Sequence, residues 1–127
     1  MNDEILKSRQ IALNILSHVL HKKQNLDDEF DKQTTSLDNR EKAFIRMLVT
    51  TCLRRMGQID FVLKQLLEKP LPQKAAAIQD ILRLATCQIL FMQVPPHAAV
   101  STAVVLTKTL KFDFFAQLVN GVLRHCC

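Results

Sequence analysis

The side chains able to do chemistry in this 127-residue chain are mostly cations. Arg54 and Arg55 stand together near the end of one apolar-periodic segment, and Lys7 and Arg9 lie two residues apart in another. Such groups have two physical readings. A cation in the last turn of a helix complements the helix dipole. The same cation, turned to solvent, contacts phosphate. Both readings are open for Arg54 and Arg55. Lys7 and Arg9 do not share a narrow helical stripe, although they can flank a backbone groove. The other reactive types lead less far. His97 follows Pro95 and Pro96 at a helix start, where a neutral imidazole caps or packs. His18, His21 and His125 lack ligand spacing, and three adjacent residues such as His125-Cys126-Cys127 do not easily reach one tetrahedral ion, so no metal site is expected. No nucleophile and base stand in a recognisable arrangement. Gly57 and Gly121 are isolated, so no glycine-rich loop can cradle a nucleotide or S-adenosylmethionine.

The composition bounds the rest. The length suits one domain, spanning 1–127, that buries a core without disulfides or metal. Hydrophobic residues make up 48% and charged residues 23%, which is globular rather than disordered. Two glycines and four prolines are too few for a β-sandwich or a parallel sheet. The net charge of +5 favours polyanionic partners through counterion release. Residues 1–69 carry twelve Lys/Arg against ten Asp/Glu, and residues 70–127 carry five against two. Neither half is a basic tail, so an anion site must be assembled by folding. Cys52, Cys87, Cys126 and Cys127 show no C-x-x-C spacing, which fits a reducing cytoplasm. The N-terminus Met1-Asn2-Asp3-Glu4 is acidic and reads as no signal peptide, and no apolar run reaches the roughly 18 residues that span a bilayer.

These side chains must be positioned by helices. Apolar residues recur at helical spacing over 4–21, with Ile5, Ala12, Ile15, Leu16 and Val19 on one face. Asn25 caps a short helix from Leu26 to about Gln33. Asp38, with Glu41 three residues on, starts a helix from Asn39 to about Arg55. Its expected apolar stripe is Ala43, Phe44, Met47, Leu48 and Thr51. Gly57 is expected to end it as a left-handed cap. Helices follow over 58–68, 73–92, 97–110 and 115–125, with Pro70 and Pro72 as a stiff connector and Phe112 to Phe115 as an aromatic corner. The 73–92 segment is apolar almost all round and therefore central. The fold expected is all-α, about seven helices in two small subdomains sharing one core. The phenylalanines follow the apolar stripes, so no base-stacking platform is expected.

Six blocks in order carry a family resemblance. They are Leu53-Arg54-Arg55-Met56-Gly57-Gln58-Ile59-Asp60, Lys69-Pro70-Leu71-Pro72, Ile81-Leu82-Arg83-Leu84, Gln88-Ile89-Leu90-Phe91, Val94-Pro95-Pro96-His97-Ala98-Ala99-Val100 and Val119-Asn120-Gly121-Val122-Leu123-Arg124. Together they resemble the NusB-like N-terminal RNA-binding domain of the Sun/RsmB family of ribosomal RNA cytosine methyltransferases. The resemblance implies a NusB-like fold and binding of ribosomal RNA. In such enzymes a C-terminal methyltransferase domain in cis uses S-adenosylmethionine and a cysteine nucleophile to methylate cytosine at ring carbon 5. Cys52 and Cys87 do not match the catalytic cysteine motifs, so this chain alone is expected to bind no cofactor and catalyse nothing. The alternative branch is a standalone NusB-like transcription antitermination factor, which binds boxA-type RNA with a ribosomal protein. The Leu-Arg-Arg and Pro-His-Ala-Ala-Val blocks favour the methyltransferase branch. A third reading is a protein-interaction module whose cations are only solvated. Charge placement and family pattern together nominate Lys7, Arg9, Arg40, Arg54, Arg55, Lys108 and Arg124 as the RNA-facing cations. Arg83, inside the most apolar helix, reads as structural, and Asn120 as a hydrogen-bonding residue at a helix–helix contact.

Overall fold

The computed structural model describes residues 3–127 and is all-helical, with no strand among them. Met1 and Asn2, on which the reading of an acidic N-terminus partly rests, lie outside the described residues. Seven α-helices follow one another: α1 (Asp3–His21), α2 (Leu26–Thr34), α3 (Asn39–Arg54), α4 (Met56–Leu66), α5 (Ala76–Phe91), α6 (Pro96–Thr109) and α7 (Ala116–Arg124). Single 3-10 turns at Gln73–Ala75 and Asp113–Phe115 lead into α5 and α7.

The starts of α2 and α3 are set by side chains. Asn25 Oδ1 accepts from the Asp28 N–H at 3.1 Å, and Asp38 Oδ1 accepts from the Glu41 N–H at 2.8 Å. Each satisfies one of the amides that a helix start leaves without a partner. The end of α3 departs from expectation. Gly57 lies inside α4 and has a negative φ, so it is no left-handed cap. The chain turns instead through Arg55 (φ −101°, ψ 13°), whose N–H still bonds back to Thr51 O. Left-handed backbone occurs at two lysines, Lys23 (φ 53°) and Lys111 (φ 65°). At Lys111 the ladder closes in a Schellman pattern: the Lys111 N–H donates to Lys108 O and the Phe112 N–H to Thr107 O.

One continuous core draws on all seven helices and runs across the Pro70–Pro72 connector. Its axis is α5, which packs against α1, α3, α4, α6 and α7. The apolar stripe of α3 is rotated from the expected one. Ile45, Leu48, Val49 and Cys52 face inward, whereas Ala43 is exposed and Met47 is 59% exposed. The spacing i, i+3, i+4, i+7 holds for both choices, so periodicity alone does not fix the phase.

Three polar locks cross this core. Asp80 on α5 is fully buried; its Oδ2 accepts from Ser17 Oγ at 2.8 Å and lies 2.8 Å from His21 Nε2. Its Oδ1 accepts from Arg83 Nη1 at 3.0 Å. Arg83 also makes a forked pair with Asp60 on α4, at 2.8 and 3.0 Å. Burial works against the Arg83 charge, but the hydrogen bonds and charges of Asp60 and Asp80 outweigh it and raise its pKa. Arg83 is therefore structural, as its position in the apolar helix suggests. His18 Nδ1, 3.1 Å from Glu29 Oε1, ties α1 to α2.

Candidate nucleic-acid interface

The seven nominated cations do not form one surface. Arg9 points into the protein and is only 9% exposed. Its Nε donates to Gln88 Oε1 at 3.1 Å, Nη1 donates to Ser8 Oγ at 3.3 Å, and the guanidinium carbon sits 4.4 Å from the Phe44 ring centre. Burial lowers its pKa from the usual arginine value. Arg9 thus locks α1 to α5, and its nomination as an RNA-facing cation is corrected on that ground. Lys7 on α1, Arg40 in the first turn of α3 and Lys108 in the last turn of α6 are exposed but lie outside any groove described below.

Arg54 and Arg55 do come together. They line a groove of about 560 Å³ with Arg46, Met47, Thr50 and Phe91. The groove follows the outward face of α3. Ala43, Met47, Thr50 and Arg54 recur at intervals of three and four residues, so they stack along one side of the helix. This face is outward because Ile45, Leu48, Val49 and Cys52 take the core side. Three arginines and no carboxylate line the groove. Arg46 shares its charge with Asp27, 3.4 Å away on α2, and lies over Phe30 at 4.4 Å. Arg54 and Arg55 have no carboxylate within ion-pair distance among the described residues. Arg55 is nonetheless held: Nη1 donates to Gln58 Oε1 at 3.2 Å, and the guanidinium lies 5.0 Å from the centre of the Phe91 ring. The aromatic partner of Arg55 is Phe91. It closes α5, and its partly exposed ring reaches the groove instead of joining the fully buried core.

Arg124 stands elsewhere, in a groove between α6 and α7 with His97, Ser101 and Asn120. Asn120 makes no side-chain hydrogen bond among the described residues, so it is not the helix–helix hydrogen-bonding residue expected; it is half-buried along the groove wall. Gly121 beside it is helical and exposed, with open space where a Cβ would stand. Among the described residues no three His, Cys, Asp or Glu side chains converge to hold a metal ion, and no helix is long and apolar enough to cross a membrane.

A cationic helix face over an all-helical core is a general device, but the order of helices is specific. The sequence profile of the NusB family matches residues 6–127. The chain belongs to the NusB family. Among its curated relatives, ribosomal RNA small subunit methyltransferase B of Pasteurella multocida is 30% identical over 121 residues, and the Cronobacter sakazakii protein of the same name is 28% identical over 117. These matches cover 95% and 92% of this chain, which spans 27% of the length of either relative. The NusB fold is also evident in solved structures. The antitermination factors NusB and NusE in complex with double-stranded RNA include a chain that superposes with a TM-score of 0.84 at 20% identity, covering 99% of this chain and 97% of that one. NusB of T. maritima superposes with a TM-score of 0.84 at 21% identity, covering 96% and 89%. The NusB-family match takes up nearly all of these 127 residues.

Proposed function

We propose that this NusB-family domain binds RNA, and that its natural ligand is small-subunit ribosomal RNA presented to a cytosine methyltransferase domain. The observation that carries the reading is the α3 groove, where three arginines face solvent without a carboxylate. A polyanion entering it releases its condensed counterions, while a neutral or basic partner gains nothing there. Arg54 supplies an unpaired phosphate contact, and Arg46 and Arg55 flank it. Lys7, Arg40, Lys108 and Arg124 remain candidates for outlying phosphates. The choice of ribosomal RNA rests on identity: 30% to the P. multocida methyltransferase against 20% and 21% to the solved NusB chains. In this reading the methyl donor S-adenosylmethionine and the nucleophile belong to a separate catalytic domain, and the NusB-family domain holds and orients the RNA. The antitermination reading, with a ribosomal protein as partner, rests on the fold shared with the solved NusB structures.

The test is titration of a small-subunit ribosomal RNA fragment at two salt concentrations with wild type and Arg54→Glu. The affinity should fall with salt by roughly 0.7–0.9 log units per log of salt for each phosphate neutralised. Arg54→Glu should weaken binding and flatten that slope. No binding at low salt, or an Arg54→Glu affinity equal to wild type, rejects the reading.

A further inference from the structure

The molecule contains three arginines lying over phenylalanine rings: Arg9 over Phe44, Arg46 over Phe30 and Arg55 over Phe91. They differ in what their outer sides meet. Arg9 is enclosed in the protein and hydrogen-bonded to Gln88. Arg46 faces the carboxylate of Asp27. Only Arg55, of these three, combines an exposed guanidinium, a ring behind it and no carboxylate partner. Gln58 fixes it from the side.

We infer that Arg55, backed by Phe91, is a stacking post for an unpaired nucleobase in the α3 groove. The inference rests on the RNA reading above and adds what that reading leaves open, the residue that meets an unpaired base. A guanidinium held from behind and from the side loses little conformational freedom when a base settles on its outer side. Arginine planes and aromatic rings are the surfaces on which splayed-out bases stack. In a duplex each base is already stacked between neighbours, so the post offers it nothing. Arg46 and Arg54, in the same groove, are placed for the phosphates on either side of the stacked nucleotide. Met47, 59% exposed on the groove floor, adds a polarizable apolar contact beside the base.

The experiment compares three probes on the intact chain: a short oligoadenylate, the same oligomer with abasic sites, and an RNA hairpin duplex carrying as many phosphates. Wild type should bind oligoadenylate about tenfold more tightly than either competitor, the value of one stacked base. Arg55→Lys keeps the charge but not the plane. It should lose that tenfold preference, with oligoadenylate affinity falling well beyond any loss of hairpin affinity. Phe91→Leu should act in the same direction, and Arg55→Lys, on the surface, remains decisive if Phe91→Leu unfolds. Equal affinity of wild type for the base-bearing and abasic strands, or an unaltered preference in Arg55→Lys, overturns the stacking inference while leaving the RNA reading intact. Polyglutamate serves as a fourth, peptide probe, and its binding as tightly as oligoadenylate overturns the inference also, since an acidic peptide would then suffice. Failure of all three RNA probes to bind, or indifference to Arg54→Glu, sinks the RNA reading itself.

Discussion

His21, at the last position of α1, places Nε2 2.8 Å from Oδ2 of Asp80, a carboxylate with no exposure at all. Fifty-nine residues separate them in the chain. The same carboxylate serves Ser17 and Arg83, so α1 and α5 are joined through one buried acid. A buried charge survives only while its partners remain; with a partner deleted, the uncompensated group costs far more than the intact pair contributes.

Asp80→Ala should therefore destabilise the domain by roughly 3 kcal/mol, the low end for a broken buried pair, because Arg83 retains Asp60. Asp60 has a 38% exposed side chain, and Asp60→Ala should cost about 1 kcal/mol or less after solvent screening. Urea unfolding midpoints of the two variants measure the difference. Equal losses would show that Asp80 is not the centre of the lock.

Glu29 should contribute to the acid limb of stability. Its carboxylate accepts from Gln33 Nε2 at 3.1 Å, and this bond, with His18 and Lys32 adding to it against the opposing effect of burial, holds its pKa below the ordinary glutamate value. The unfolded chain therefore takes up the proton first as pH falls. The stability due to Glu29 is complete above the ordinary value of about 4.3 and is lost as pH descends through the lower folded value. Glu29→Gln should be less stable at neutral pH and should show a shallower decline between about pH 5 and pH 3. Thermal melts across that range report it. A parallel acid limb in the two proteins would contradict the assignment.

Two backbone substitutions should raise stability. A methyl at Gly121 meets nothing, and α7 is helical there, so Gly121→Ala should add about 0.5–1 kcal/mol. Lys111 holds a left-handed conformation within a Schellman pattern, so Lys111→Gly should add up to about 1 kcal/mol. Calorimetric midpoints should rise by a few degrees in each. A fall in Gly121→Ala would mean that α7 is not helical at that position in solution.

Arg9 and Arg54 should separate stability from binding. Arg9→Met should lower the urea midpoint and leave the RNA affinity of the folded protein unchanged, because its guanidinium faces Gln88 and Phe44. Arg54→Glu should do the reverse. If Arg9→Met loses affinity while folded, Arg9 reaches the ligand after all.

Much of this was legible before folding, and the exceptions have causes. The caps Asn25 and Asp38 act on amides three residues away, so local sequence contains them in full. The all-round apolarity of α5 announced its central place. The phase of α3 was not legible, since Met47 and Ala43 are as apolar in type as Ile45 and Val49, and only the packing of α1 and α5 decides which pair is covered. The burial of Arg9 and Asp80 was not legible, because their partners Gln88 and His21 lie 79 and 59 residues away, beyond any periodicity. Arg54 and Arg55 were legible as a pair, whereas their meeting with Arg46 and Phe91 depends on where α5 ends.

The two links from α1 to α5 also set a timetable. On a ribosome adding about 5–20 residues per second, roughly 4–16 s separate the synthesis of Arg9 from that of its partner Gln88. Until then the apolar face of α1 and the charge of Arg9 have only α2 and α3 for company. The first of the seven helices can thus pack on α2 and α3 early, while its polar links to α5 close only once the middle of α5 has been made.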